Sequence, residues 1–283
     1  MALQQSEKLK DFDMEEAYTD FALVYDTFMD ETPYKEWAEF VTSLIKKYGI
    51  SKRNTSDSDD NLEQEKNLVV ELGCGTGNFT IEMYKQGFDI MGIDNSDRML
   101  QIALEKNKEL DKDILYLEQD MREIELYSTA GTFVSVCDSI NYLTSIEDIV
   151  KTLEKVNNYL YPEGIFIFDF NTVHKYRDVI GDATIAEDRK DCAFIWDNFY
   201  DEDTHINEYD VTIFVKDHED IYKRFSEMHI QKGYTLEEIK EAVDKAGMIL
   251  LDAIDADTRE KPNGDSERIY IIAKKNSKNN MLV

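Results

Sequence analysis

Residues 67–94 read NLVVELGCGTGNFTIEMYKQGFDIMGID. A β-branched apolar run, Leu68-Val69-Val70, enters a loop in which Gly73, Gly75 and Gly77 alternate with Cys74 and Thr76. Such a run followed by glycines predicts a strand feeding a sharp turn. Past the loop, Phe79, Ile81, Met83 and Tyr84 predict a short helix ending at Gly87, and a second apolar run, Ile90-Met91-Gly92-Ile93, stops at Asp94. The unit is strand, glycine turn, helix, strand, acid, the repeating alternation of an α/β sheet.

The chemistry of the loop follows from its composition. A backbone that turns sharply and lets a ligand approach to van der Waals contact carries no Cβ at those points. An acid closing the second strand, where a ribose would lie, accepts hydrogen bonds from both sugar hydroxyls, and Asp94 is that acid. The dinucleotide fingerprint spaces its glycines G-x-G-x-x-G ahead of a pyrophosphate-binding helix start. Here they fall G-x-G-x-G after Glu71, which suits a nucleoside without phosphates and makes an NAD-dependent oxidoreductase the poorer alternative.

The string Glu71-Leu72-Gly73-Cys74-Gly75-Thr76-Gly77 resembles the first motif of the class I S-adenosylmethionine-dependent methyltransferases. Asp94, Asp120-Met121 and the run Cys137 to Tyr142 stand where that family's later cofactor motifs fall. The resemblance implies that Glu71, Gly73, Cys74, Gly75 and Gly77 form the cofactor loop, and that Asp94, Asn95 and Met99 follow the second strand to the ribose side. It further implies that Asp120 accepts from the adenine amino group, unless it merely caps a turn or helix, that Met121 lies against the ring, and that Cys137, Asp138 and Ser139 face the methyl donor. The cofactor expected is S-adenosyl-L-methionine, with S-adenosyl-L-homocysteine as product. A nucleoside-binding regulatory protein without turnover is the alternative from another class. Relatives that methylate bases often carry Asn/Asp-Pro-Pro-Tyr/Phe at residues 138–142. The chain has Asp138-Ser139-Ile140-Asn141-Tyr142 with no proline, which argues against base methylation.

Composition bounds the partners. The net charge of -28 repels phosphate backbones and anionic lipid, so nucleic acid is not the expected partner. Cys74, Cys137 and Cys192 contain no C-x-x-C pair and suggest neither a disulfide framework nor a metal site. No signal-peptide core and no apolar run of membrane-spanning length is visible, so a cytoplasmic protein, monomer or homodimer, is expected.

Before the motif, Tyr18, Phe21, Ala22, Tyr25 and Met29 recur at helical spacing, as do Tyr34, Trp37, Ala38, Val41, Leu44, Ile45 and Tyr48 behind Pro33. These two helices, within residues 1–50, are expected to cover the cofactor cleft. Their aromatics are either core or, as the resemblance implies for Tyr18, Tyr25 and Trp37, closures of the cofactor pocket. Residues 51–66, SKRNTSDSDDNLEQEK, predict a solvated linker. After the motif, strands and helices alternate through the apolar run GIFIFDF of residues 164–170. They resume with a capping box, Thr235 and Glu238, ahead of two final strands. Seven strands match the Rossmann-like sheet of the family, whose last strand is antiparallel, over residues 67–170 and 235–275, with 276–283 as a tail.

Residues 171–234 break the alternation. Aromatic and β-branched runs at 193–200, 207–215 and 222–231 predict a small antiparallel β insertion after strand five, three strands lying over the cleft as a substrate lid. It is similar to the small sheet of bacterial small-molecule methyltransferases, including those acting on aminosugars. Glu227, His229 and Gln231 share one strand face, which either lines the cleft or faces solvent. On the first reading His229 is a candidate base and Tyr142 a candidate partner in catalysis. Trp196, Tyr200, Tyr209 and Phe225 are either an aromatic wall or core, and Arg268 either meets a substrate anion or forms an ion pair. The function these features imply is methyl transfer by in-line displacement to a nitrogen or oxygen of a small molecule.

Overall fold

The structure is a computed structural model describing residues 21–53, 60–110 and 113–276. Strand β1 (Val69–Leu72) lies inside a seven-stranded sheet, with β2 (Ile90–Asp94) and β4 (Ala130–Ser135) parallel to it on either side. Beyond β2 comes β3 (Leu115–Glu118) and beyond β4 comes β5 (Leu160–Asn171), both parallel. A final hairpin adds β10 (Ile249–Asp255) and β11 (Arg268–Lys274), with β11 antiparallel to β5, so the order is β10-β11-β5-β4-β1-β2-β3. Successive strands add to opposite sides of β1, so the loops leaving β1 and β4 diverge and open a crevice at their carboxyl ends.

Every residue of β1 and β4 is buried. That requires cover on both faces, and it explains why these strands read as unbroken apolar runs. On one face, α6 (Ile146–Tyr159) and α7 (Leu236–Lys245) pack Ile149, Leu153, Ile239 and Val243 against Val70, Leu72, Phe133 and Phe168. On the other, α2 (Tyr34–Tyr48) and α4 (Asn78–Lys85) pack Val41, Ile45, Phe79 and Met83 against Val69, Val134 and Ile167. The starts of α6 and α7 are fixed by local chemistry. Ser145 accepts from the Asp148 amide, and Thr235 and Glu238 form the reciprocal capping box. Helices α1 (Ala22–Phe28) and α5 (Asp97–Glu109) complete the surroundings of the crevice.

Three expectations change. The stretch 51–66 is not wholly a linker: α3 (Asn61–Asn67) forms there because Asp60 caps it and Glu63 pairs with Lys66 one turn on. The insertion has four strands, β6 (Thr184–Asp188), β7 (Cys192–Asp201), β8 (Ile206–His218) and β9 (Ile221–Lys232), all antiparallel in that order. The extra strand, TIAED, is short, charged and at an edge, a composition without the apolar alternation that marks the others. Of the two N-terminal helices, α2 lays its buried stripe on β1 and β5 and meets the crevice through its first residue, Tyr34. Tyr18 and the tail from 277 onward lie outside the described residues.

Candidate active site

A cavity of about 1050 Å³, counting its open mouth, sits at the carboxyl ends of the central strands. The loop after β1 supplies Gly73, Cys74, Gly75 and Thr76, and the end of β2 supplies Asp94 and Asn95. From beyond β3 come Gln119, Asp120 and Met121, and from beyond β4 come Cys137, Ser139 and Tyr142. Met99 of α5 and Tyr25 of α1 also line it. Gly75, which lines the cavity, has φ +52°, and a Cβ there would meet nothing within 4 Å. Gly73, at φ +70°, is needed for a different reason: a Cβ would lie 2.5 Å from the Ser139 side chain. Gly77 starts α4 with φ +78° and abuts Tyr116, so its role is packing, and it is not in the wall.

The charge of the wall is one-sided. Glu71, Asp94 and Asp120 line it, and among the described lining residues there is no lysine, arginine or histidine. Burial pushes the Glu71 carboxyl up to about 8, against the pull of the Thr80 hydroxyl that donates to it. Burial also raises Asp94, which accepts from the Gly75 amide at 2.7 Å and the Ser96 amide at 2.9 Å. Asp120 is held low despite burial because Arg122 grips it through Nε and Nη2, at 3.0 and 2.5 Å from Oδ2. Glu71 keeps its proton near neutral pH and Arg122 offsets Asp120, so the wall offers acidic side chains without a basic one to meet a phosphate, which it opposes. The Gly75 gap and the paired carboxylates therefore fit a sulfonium nucleoside, with Asp94 and Asp120 available to its hydroxyls and amino groups.

Beyond β4 the chain takes two consecutive left-handed residues, Cys137 at φ 63° and Asp138 at φ 56°. A non-glycine residue there costs of order 1–3 kcal/mol and persists only when its surroundings hold it. Asp169 of β5, fully buried, holds this pair by accepting from both amides, at 3.1 and 2.9 Å. Asp138 turns away from the cavity toward Gln231 Nε2 at 2.9 Å and Arg268 Nη2 at 3.2 Å. Arg268 is thus an internal ion-pair partner of Asp138 and Asp169, and it lies against Trp37, 5.4 Å from the ring. Neither Trp37 nor Arg268 lines the cavity, and Arg268 is engaged by two carboxylates of the chain itself. Burial and Asp138 raise the Cys137 thiol to about 12.

The polar face of β9 is not exposed to solvent: Glu227, His229 and Gln231 are all buried. His229 Nδ1 lies 3.2 Å from the Tyr142 hydroxyl, and its Nε2 lies 3.5 Å from Glu227 Oε2. Gln231 accepts from Tyr176 and Tyr209 and so belongs to the joint between sheet and insertion. Asn141 is structural as well, clamping Asn171 and the carbonyl of Lys232. Trp196, Tyr200, Tyr209 and Phe225 pack with Phe21 and Phe28 of the N-terminal segment as a satellite core. Sequence reading passed over Tyr34, Asn78 and Gln119 as wall residues and Arg122 as the partner of Asp120. The signal for Arg122 was its place two residues after an acid closing a strand, where it can reach back.

A profile described as a methyltransferase domain matches residues 69–164. The protein is 34% identical to a Bacillus subtilis protein named "Putative methyltransferase YqeM", over 91% of this chain and 97% of that one. An S-adenosylmethionine-dependent methyltransferase from Clostridium acetobutylicum superposes with a TM-score of 0.76 at 25% identity, covering 91% of this chain and 98% of that one. The sugar N-methyltransferase KedS8 from Streptoalloteichus shares the fold, with a TM-score of 0.68 at 14% identity over 88% and 92% of the two chains. With the glycine loop and the seven-stranded sheet of this chain, these similarities show that it belongs to the class I S-adenosylmethionine-dependent methyltransferases.

Proposed function

We propose that the protein binds S-adenosylmethionine in this cavity and transfers its methyl group to a nitrogen or oxygen of a small molecule in the cytoplasm. The observation that carries the reading is a single wall. Three carboxylates and no basic side chain line it among the described residues, and Tyr142, bonded to His229 of the inserted sheet, stands in the same wall. When bound, S-adenosylmethionine supplies an electrophilic methyl on a sulfonium sulfur. Asp94 would hold ribose hydroxyls, Asp120 and Met121 the adenine, and Glu71 the cationic amino acid end. Tyr142 and His229 would orient the acceptor and take its proton, with Glu227 beside the second ring nitrogen of His229. Alignment of acceptor and donor supplies the larger part of such catalysis, on the order of 7–11 kcal/mol, and a proton acceptor adds roughly 10²–10⁴-fold. The four-stranded insertion reaches the cavity wall through the His229 to Tyr142 contact, which supports a role for it in choosing a small acceptor.

The test is incubation with a methyl-labelled donor and a fractionated cell extract, supplemented by panels of small amines and alcohols. Label is expected in the small-molecule fraction. Label confined to protein or nucleic acid, or calorimetric binding of NAD in preference to S-adenosylhomocysteine, would overturn the proposal.

A further inference from the structure

Helix α1 touches both halves of the site with different side chains. Asp26 accepts from the Thr76 hydroxyl at 2.7 Å and from Asn78 Nδ2 at 2.8 Å, and it pairs with Lys106 of α5 at 2.6 Å. Lys106 closes the knot by donating to the Thr76 carbonyl at 3.0 Å and to Asn78 Oδ1 at 2.6 Å. Thr76 and Asn78 belong to the wall of the cofactor cavity, as does Tyr25, the neighbour of Asp26. Toward the insertion, the Phe21 amide donates to Glu227 Oε1 at 2.8 Å. The Phe28 ring meets Phe194 edge-on at 4.7 Å, and Val24 is buried in the core beneath the inserted sheet.

The helix has little stability of its own. It is seven residues long and follows Phe21, a side chain with no capping acceptor. A helix this short is marginal in water, so its conformation rests on what it touches. Asp26 does not line the cavity, yet it bonds two residues that do.

We propose that Asp26 is a positioning residue through which cofactor binding seats α1, and through α1 the acceptor side of the site. A ligand that steadies the Thr76 and Asn78 loop steadies the Asp26 knot, and with it the Phe21 to Glu227 contact beside His229. One consequence follows: release of the cofactor is slowed by the Asp26 knot, which must loosen as the loop after β1 does. The inference rests on the cavity being the cofactor site, which is why its test separates the two.

The probe is S-adenosylhomocysteine, read by stopped-flow dissociation and by hydrogen exchange in the full chain. In the natural protein, saturating ligand is expected to slow exchange in the loop after β1, in α1 and in β9 together. Removing a hydrogen-bonded charge costs enough that Asp26→Ala should release ligand about tenfold faster or more. In that variant the ligand should still protect the loop after β1 but no longer protect β9. Asp26→Asn, which keeps an acceptor for Thr76 and loses the charge facing Lys106, should fall between the two. Asp26 is partly exposed, so neither change removes core. Equal release rates in all three proteins, or ligand protection that never reaches β9, overturns the coupling while leaving the cofactor site standing. No binding to the natural protein overturns both.

Discussion

Glu71 is a carboxyl whose environment opposes its charge. Its folded value near 8 stands above the ordinary 4.5, so the native state keeps a proton that the unfolded chain has released. Stability therefore falls as pH rises from about 4.5 to about 8, because the unfolded state binds fewer protons across that window. Glu71→Gln removes the penalty, and the melting temperature of the variant should gain on that of the natural protein between about pH 5 and pH 9. Scanning calorimetry at the two ends checks this; a constant difference would mean that the carboxyl ionises freely. Asp94 and Gly75 test the cavity itself. Asp94→Ala should weaken S-adenosylhomocysteine binding by about 1.5–3 kcal/mol, as for a hydrogen bond to a charged group. Gly75→Val should abolish it by placing a side chain where the structure leaves open space. Titration calorimetry on the folded variants reads both.

Strand β9 carries the chemistry that the insertion adds to the cavity. If His229 takes the acceptor's proton, His229→Ala should lower kcat by at least about 10²-fold with cofactor affinity unchanged. Equal losses in cofactor binding would instead mark His229 as part of the joint between sheet and insertion. The measurement waits on an acceptor from the labelling experiment. Helix α7 is a simpler case. Thr235 accepts from the Glu238 amide at 3.2 Å, and Glu238 accepts from Thr235 in return. Thr235→Ala should cost about 1 kcal/mol of unfolding free energy, measured in urea with an unchanged slope.

The whole molecule carries 60 acidic against 32 basic residues, a net charge of -28. Charges this unbalanced repel one another across the folded surface and raise the free energy of the compact state. Screening shortens that repulsion to about 3 Å at 1 M salt from about 30 Å at 0.01 M. Thermal stability should therefore rise with sodium chloride, tracked by melting temperature from low to high ionic strength. A flat or falling curve would mean that ion pairs such as Lys274 with Glu163 outweigh the self-repulsion. The same charge is consistent with a cavity wall that excludes basic side chains, since both oppose phosphate-bearing partners.

The strand, glycine turn, helix, strand unit of residues 67–94 was legible in the linear chain because it depends on neighbours in sequence, while the seven-strand sheet and the later wall residues came from the family resemblance. Glycine spacing sets where the backbone bends, apolar runs mark strands buried on both faces, and an acid ending a strand points to the crevice. Gly73, Cys74, Gly75, Asp94, Asn95, Met99, Asp120, Met121, Cys137, Ser139 and Tyr142 accordingly stand together at one cavity. Other decisions belonged to contacts between residues distant in sequence. Whether the polar face of β9 met water or protein depended on Tyr142 and Phe21, 87 and 206 positions away. The contact of Trp37 with Arg268, and those of Asp138 with Gln231 and Arg268, depend on where β9 and β11 stand in the fold. Periodicity reports which side of an element is apolar. What covers that side, and which buried charge answers another, follows from packing in three dimensions, where an unpaired buried charge costs too much to persist.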